Sequence, residues 1–139
     1  MAWRLSPADY PSIRAAIDIS LSEGSLSDGI ISLPIYSGYA EQQVLALVPD
    51  ADTADAARQA HLHNAAMFFA AAALCLAIPS FTREAGPEFN ASIDRVKPAE
   101  LAADLRLRAA SELEAGSPGA AAQLVPLTFT VAKGSRGQW

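Results

Sequence analysis

The chain has 139 residues and a mass of 14.6 kDa, one domain's worth of polypeptide, which excludes a large multidomain enzyme. Hydrophobic residues make up 51%, yet about thirty of them are alanine and only 7% of the chain is aromatic, a composition suited to close helix packing rather than to a thick β-sandwich. The net charge of -5 and a pI near 4.8 leave no basic footprint for phosphate backbones or anionic lipid, so nucleic acid is not expected as the primary partner.

Nine prolines divide the sequence into short blocks, and helices rarely cross a proline outside their first turn. The N-terminus has no uninterrupted apolar stretch after Arg4 and does not read as a secretory signal. In the first block Asp9 or Ser6 can cap, and Pro11 can occupy the first turn of a short helix through Arg14 and Ile17 that fades by Leu21. Residues 22–29, with Gly24 and Gly29, read as a turn-rich connection pinned by Leu26. A second helix begins near Ser32 or Leu33, tolerates Pro34 in its opening turn, and carries Tyr36, Ala40, Val44 and Val48 at helical spacing as far as Pro49. Asp52 or Thr53 can then cap a long third helix that runs to about Ile78, with Asp55 favouring its N-terminus electrostatically.

The longest apolar run, residues 65–78, has fourteen residues, short of the roughly 20 a spanning helix needs, and it extends N-terminally into Gln59, His61, His63 and Asn64. It therefore reads as a core helix and not a membrane anchor. Its second half is apolar around the whole circumference, so either it is central or one face meets another subunit. Residues 80–97 form a loop long enough for function or subunit contact. Pro98 opens a fourth helix, with Leu101, Leu105, Ala109 and Leu113 in one stripe and Asp104 and Arg108 paired at i,i+4; Gly116, Ser117, Pro118 and Gly119 end it. The expected fold is all-α: a small four-helix bundle over residues 1–116 with a long loop, followed by an extended C-terminal tail, 117–139. That tail contains one β-prone segment, Leu127, Thr128, Phe129, Thr130 and Val131, which has no convincing partner strand in the chain and is expected to dock on a neighbouring subunit or partner.

Chemistry-bearing patterns are sparse. His61 and His63 stand at i,i+2, about 200° apart on a helix, and cannot chelate one metal as an i,i+4 pair could. Asp50, Asp52 and Asp55 lack the glycine and distal glutamate of a calcium loop and read better as capping residues. There is no nucleophile elbow and no phosphate-cradling glycine loop, and the lone Cys75 sits in an alanine- and leucine-rich stretch that favours a buried, inert thiol of a reducing compartment. Glu84 and Glu88 lie in the long loop, where carboxylates are usually just solvated. No catalytic, cofactor or metal site is expected, and the chain does not read as an enzyme.

The order of the blocks resembles the head–tail connector (adaptor, or head-completion) proteins of tailed bacteriophages. The resemblance spans about residues 9–114. It rests on the opening Asp9, Tyr10, Pro11, Ser12, Ile13 and Arg14, and on Leu26, Ser27, Asp28, Gly29 and Ile30 leading into Tyr36, Ser37, Gly38 and Tyr39. The alanine-rich long helix ending near Pro79 follows, then the polar loop with Thr82, Arg83 and Glu84, and the final helix bearing Leu101, Leu105 and Leu113. The resemblance implies a subunit made in the host cytoplasm that assembles in the virion neck as a ring, commonly a dodecamer, beneath the portal protein. Such a ring extends the DNA channel and docks a downstream neck or tail protein, with no membrane and no sequence-specific DNA contact. An acidic lumen suits this role because it lets the phosphate backbone slide instead of sticking, so Glu84 and Glu88 are expected to face the channel. Other readings are a helical assembly or regulatory adaptor without catalysis, a helix-turn-helix regulator, disfavoured by the acidic pI, and a bundle-core enzyme, disfavoured by the apolar third helix.

Overall fold

A computed structural model describes residues 3–18, 26–77 and 98–123. Among them the chain is predominantly helical and contains no strand. The α-helices are α1 (Tyr10–Ile17), α2 (Asp28–Ile31), α3 (Tyr39–Leu47), α4 (Ala56–Ala77) and α5 (Pro98–Gly116), with short 3-10 turns at Pro7–Asp9 before α1, Ala51–Thr53 between α3 and α4, and Ala120–Gln123 after α5.

Each helix boundary has a local cause. Ahead of α1, Ser6 N–H donates to Asp9 Oδ2 at 2.8 Å and Asp9 N–H to Ser6 O at 2.9 Å, which sets the entry turn, and Pro11 then sits where its missing N–H costs nothing. Tyr10, Ile13 and Ile17 fall on the buried face; Asp18 is extended and ends the helix. The connection ending at Gly29 holds more structure than its turn-rich composition suggests: Ser27 Oγ accepts from Ile30 N–H at 3.3 Å and nucleates the single turn of α2. Leu26 is fully buried as the pin of this connection, and its carbonyl accepts from Arg14 Nε at 2.6 Å, while Arg14 also pairs with Asp28.

Leu33 is extended, as the residue before a proline must tend to be, and the chain winds from Pro34 through a wide π turn, Pro34–Gly38, directly into α3. Ala40, Val44 and Val48 then point into the core at four-residue spacing. The start of α4 departs from expectation. Asp55 is its cap, accepting from Arg58 N–H at 2.9 Å through Oδ1, whereas Thr53 Oγ1 bonds the Asp50 carbonyl and Asp52 faces the N-terminal segment. The intervening 3-10 turn leaves Ala54 extended, so the cap lies two residues beyond Thr53 and three beyond Asp52.

α4 is the central element. It packs along α5 and against α3, α1 and the π turn, burying Leu62, Ala65, Ala66, Phe69, Ala70, Ala71, Ala72, Leu74 and Cys75. By length and mean hydropathy, 1.4 over its most apolar window, it could cross a membrane, and half of that window is buried in this fold. α4 and α5 run antiparallel, since Arg106 lies over the Phe69 ring while Gly116 lies against Arg58, His61 and Leu62. Both helices bury several alanines, and Gly116 permits a close approach because it has no Cβ: one placed there would stand 3.1 Å from His61 Cβ and 3.3 Å from Arg58 O. Leu105, Ala109 and Leu113 form the expected buried stripe of α5, Leu101 is half-buried at its start, and Arg108 pairs with Asp104 at 3.0 Å on the outer side. Beyond Gly116, Gly119 takes φ +93° and Ala120 returns into the core.

Candidate interaction surface

Among the described residues, the chemical candidates His61, His63, Asp50, Asp52, Asp55 and Cys75 are engaged in holding the body together. His61 Nδ1 meets Glu112 Oε1 on α5 at 2.9 Å, while His63 turns to the other side, its Nε2 2.9 Å from Asp9 Oδ1 and its Nδ1 3.1 Å from the Trp3 carbonyl oxygen. The two imidazoles diverge as i,i+2 spacing on a helix requires. Among the described residues no three His, Cys, Asp or Glu side chains gather where they could hold a metal ion.

The three aspartates before α4 divide their work. Asp55 caps; Asp50 receives Arg58 at 3.3 and 3.4 Å; Asp52 receives the Trp3 indole N–H at 2.7 Å and Arg4 at 3.2 Å. The Arg58 hydrogen bond holds the Asp50 carboxyl below the usual carboxylate range, and the Trp3 indole, seconded by Arg4, does the same for Asp52. Burial pushes the Cys75 thiol up to about 12, which favours the protonated thiol near neutrality. Burial, and then the carboxylates of Asp28, Glu41 and Asp9, raise Tyr10 above the ordinary phenol value.

Sequence reasoning missed the N-terminal segment. Trp3 is completely buried, Arg4 stacks 4.7 Å over its ring and bridges Glu41 and Asp52, and Leu5 N–H donates to Glu41 Oε2 at 2.9 Å. A tryptophan beside an arginine in an aromatic-poor chain was the available signal.

One surface feature is not consumed by the fold. The π turn, the first turn of α3, the last turns of α4 and the middle of α5 enclose an open groove of about 220 Å³ lined by Ile35, Tyr36, Tyr39, Ala72, Leu76 and Arg106. Ile35 and Leu76 are 65% and 61% exposed on its rim, an unusual position for large aliphatic side chains when small alanines lie at the floor. Its shape has three sources. The π turn widens the backbone so that Ile35 stands outside the core while Tyr36 enters it. Ala72 supplies no bulk to fill the floor, and Arg106 is held aside, its Nη1 donating to Tyr39 Oη at 3.2 Å while its guanidinium lies 5.9 Å from the Phe69 ring centre.

The groove is smaller than the roughly 300–1,000 Å³ of a typical cofactor or drug-sized site. Among the described residues it offers one cation and two phenols, with no carboxylate, imidazole or thiol on its walls to act as a base or nucleophile. Ile35, Ala72 and Leu76 make the rest of its lining apolar. α4 is central in the described body, and Leu76 in its last turn is exposed. Glu84 and Glu88, expected at the channel, and Leu127, Thr128, Phe129, Thr130 and Val131, expected at a subunit contact, lie outside the described residues. Comparison of the chain with protein-family models, with curated proteins and with solved structures finds no match.

Proposed function

We propose that this chain is a non-enzymatic structural subunit, the head–tail connector of a tailed phage. In this reading α1, α3, α4 and α5 make a four-helix bundle, and copies of it form a ring, dodecameric by the family resemblance, under the portal protein in the virion neck. The ring extends the DNA channel and docks the next neck or tail protein; the genome passes without sequence-specific contact, and no membrane takes part. Glu84 and Glu88 line the channel, where their charge repels the phosphate backbone. The observation that supports the reading is the apolar groove at Ile35 and Leu76, exposed on a small helical body in which His61, His63, Asp50, Asp52, Asp55 and Cys75 serve packing, pairing and capping. The block order that resembles connector proteins supplies the specific assignment.

The test is quantitative mass spectrometry of purified, tail-bearing particles from the source. The chain is expected at a copy number close to that of the portal. Particles with readily detected portal and none of this chain would overturn the assignment, and the groove would then belong to a helical assembly or regulatory adaptor acting outside the particle.

A further inference from the structure

We infer that His63 is a proton-dependent latch: as an imidazolium it donates from both ring nitrogens, to the Asp9 carboxylate and to the Trp3 carbonyl, and it holds the N-terminal segment on α4 more tightly when protonated. The inference stands apart from the connector reading and needs no partner chain.

A neutral imidazole donates from one nitrogen and accepts at the other. His63 meets an acceptor at each: Asp9 Oδ1 lies 2.9 Å from Nε2, and the Trp3 carbonyl oxygen lies 3.1 Å from Nδ1. Neither can turn into a donor by rotation. The Trp3 oxygen belongs to the backbone, and the other oxygen of Asp9 accepts the Ser6 N–H at 2.8 Å. Only the doubly protonated ring satisfies both contacts. Loss of one proton sets a nitrogen lone pair against an oxygen lone pair at one of them. Trp3 is completely buried, so its carbonyl has no water to take the place of the ring.

His61, on the same helix, supplies the contrast. Its Nδ1 meets the single acceptor Glu112 Oε1 at 2.9 Å and its side chain is 44% exposed, so a neutral tautomer satisfies the contact. The His63 side chain is only 24% exposed, and its two contacts join three parts of the chain: the segment at Trp3, the turn that opens α1, and α4.

The charges around the latch come from several elements. On α1, Tyr10 is raised above the ordinary phenol value, and Arg14 is committed to Leu26 O and Asp28. Glu41 on α3 and Asp52 in the turn before α4 share Arg4, while Glu112 on α5 serves His61 and Asn64. Asp9, Glu41 and Asp52 against Arg4 leave an excess of negative charge that suits a cation at His63. Among the described side chains only the two imidazoles ordinarily change charge between pH 5 and 8. The stability that the latch contributes is present while the ring keeps its second proton and is lost as rising pH removes it. That is opposite in sign to the contributions of Asp50 and Asp52.

The test compares urea unfolding of the full chain at pH 5 and pH 8 with that of His63→Gln and Asp9→Asn. The α-amino group and His61 also titrate in this interval and are common to all three proteins. The stabilisation of the parent over His63→Gln is expected to be roughly tenfold larger in the folding equilibrium constant at pH 5 than at pH 8. In Asp9→Asn the amide oxygen can take the Ser6 N–H while the amide nitrogen donates to Nε2, which satisfies the neutral ring, so the pH dependence should shrink or reverse. Equal stabilisation at the two pH values, or the parent's full pH dependence in Asp9→Asn, would overturn the inference. Nitrogen NMR of the parent alone decides the matter where a variant does not fold. At pH 5 His63 is expected to show two ring N–H signals protected from exchange with water and His61 at most one; a single protected N–H on His63 would overturn the latch.

Discussion

At the scale of single residues, the acidic connection before α4 shows how three similar side chains acquire different work from their positions. Asp52 is two residues from Asp50 and three from Asp55, yet it alone meets the indole N–H of Trp3 and the guanidinium of Arg4. Because its folded carboxyl is held below the ordinary range, the stability it contributes is fully present above the unfolded value of about 3.9 and is lost as pH falls through the lower folded value. Asp50 adds a second contribution of the same sign through Arg58. In the Asp52→Asn variant, the midpoint of urea unfolding should lie closer to its pH 3 value at pH 6 than it does in the parent chain. An unchanged difference between the two pH values would mean that Asp52 gains nothing from its partners. Nothing in the local sequence distinguishes Asp52 from Asp50, since what separates them is Trp3, 49 residues away.

At the scale of elements, most boundaries were legible because their causes are local. Pro34 and Pro98 start helices whose first-turn N–H groups need no partner, Gly116 to Gly119 stops α5, and the Asp104 and Arg108 pair follows from 3.6-residue periodicity alone. The cap of α4 was misplaced because Asp52, Thr53 and Asp55 all have the chemistry of a cap, and only the 3-10 turn at Ala51–Thr53 selects Asp55. The two roles of α4 make a paired prediction. Phe69→Ala opens a cavity in a fully buried position and should destabilise the fold by about 3–5 kcal/mol, whereas Leu76→Ala, on the exposed rim of the groove, should stay within about 0.5 kcal/mol. Denaturant titration of both variants measures this. A large loss at Leu76 in dilute, unassembled protein would show that the last turn of α4 belongs to the monomer's core and not to a docking surface.

At the scale of the whole molecule, the N-terminal segment ties elements together that periodicity treats as separate. Trp3 packs in the core, its carbonyl meets His63 on α4, its indole meets Asp52, and Arg4 reaches Glu41 on α3. Trp3→Ala should therefore cost about 3–5 kcal/mol, as for a buried core aromatic, instead of the near-zero effect of a frayed terminus. Thermal unfolding followed by circular dichroism reads this directly, and an unchanged Tm would place the segment outside the cooperative unit.

The sequence by itself determined the helical class, the proline and glycine punctuation, the buried stripes of α3 and α5, and the burial of Cys75, because each follows from interactions within a few residues or from composition. Tertiary structure alone decided the burial of Trp3, the division of labour among the aspartates, the opposite destinations of His61 and His63, and the groove at Ile35 and Leu76. These depend on which distant surfaces meet. A π turn, a row of alanines and an arginine drawn toward Tyr39 make a recess only when α3, α4 and α5 are brought side by side, and hydrophobic periodicity, which reports which face of a helix turns inward, carries no information about which helix waits there.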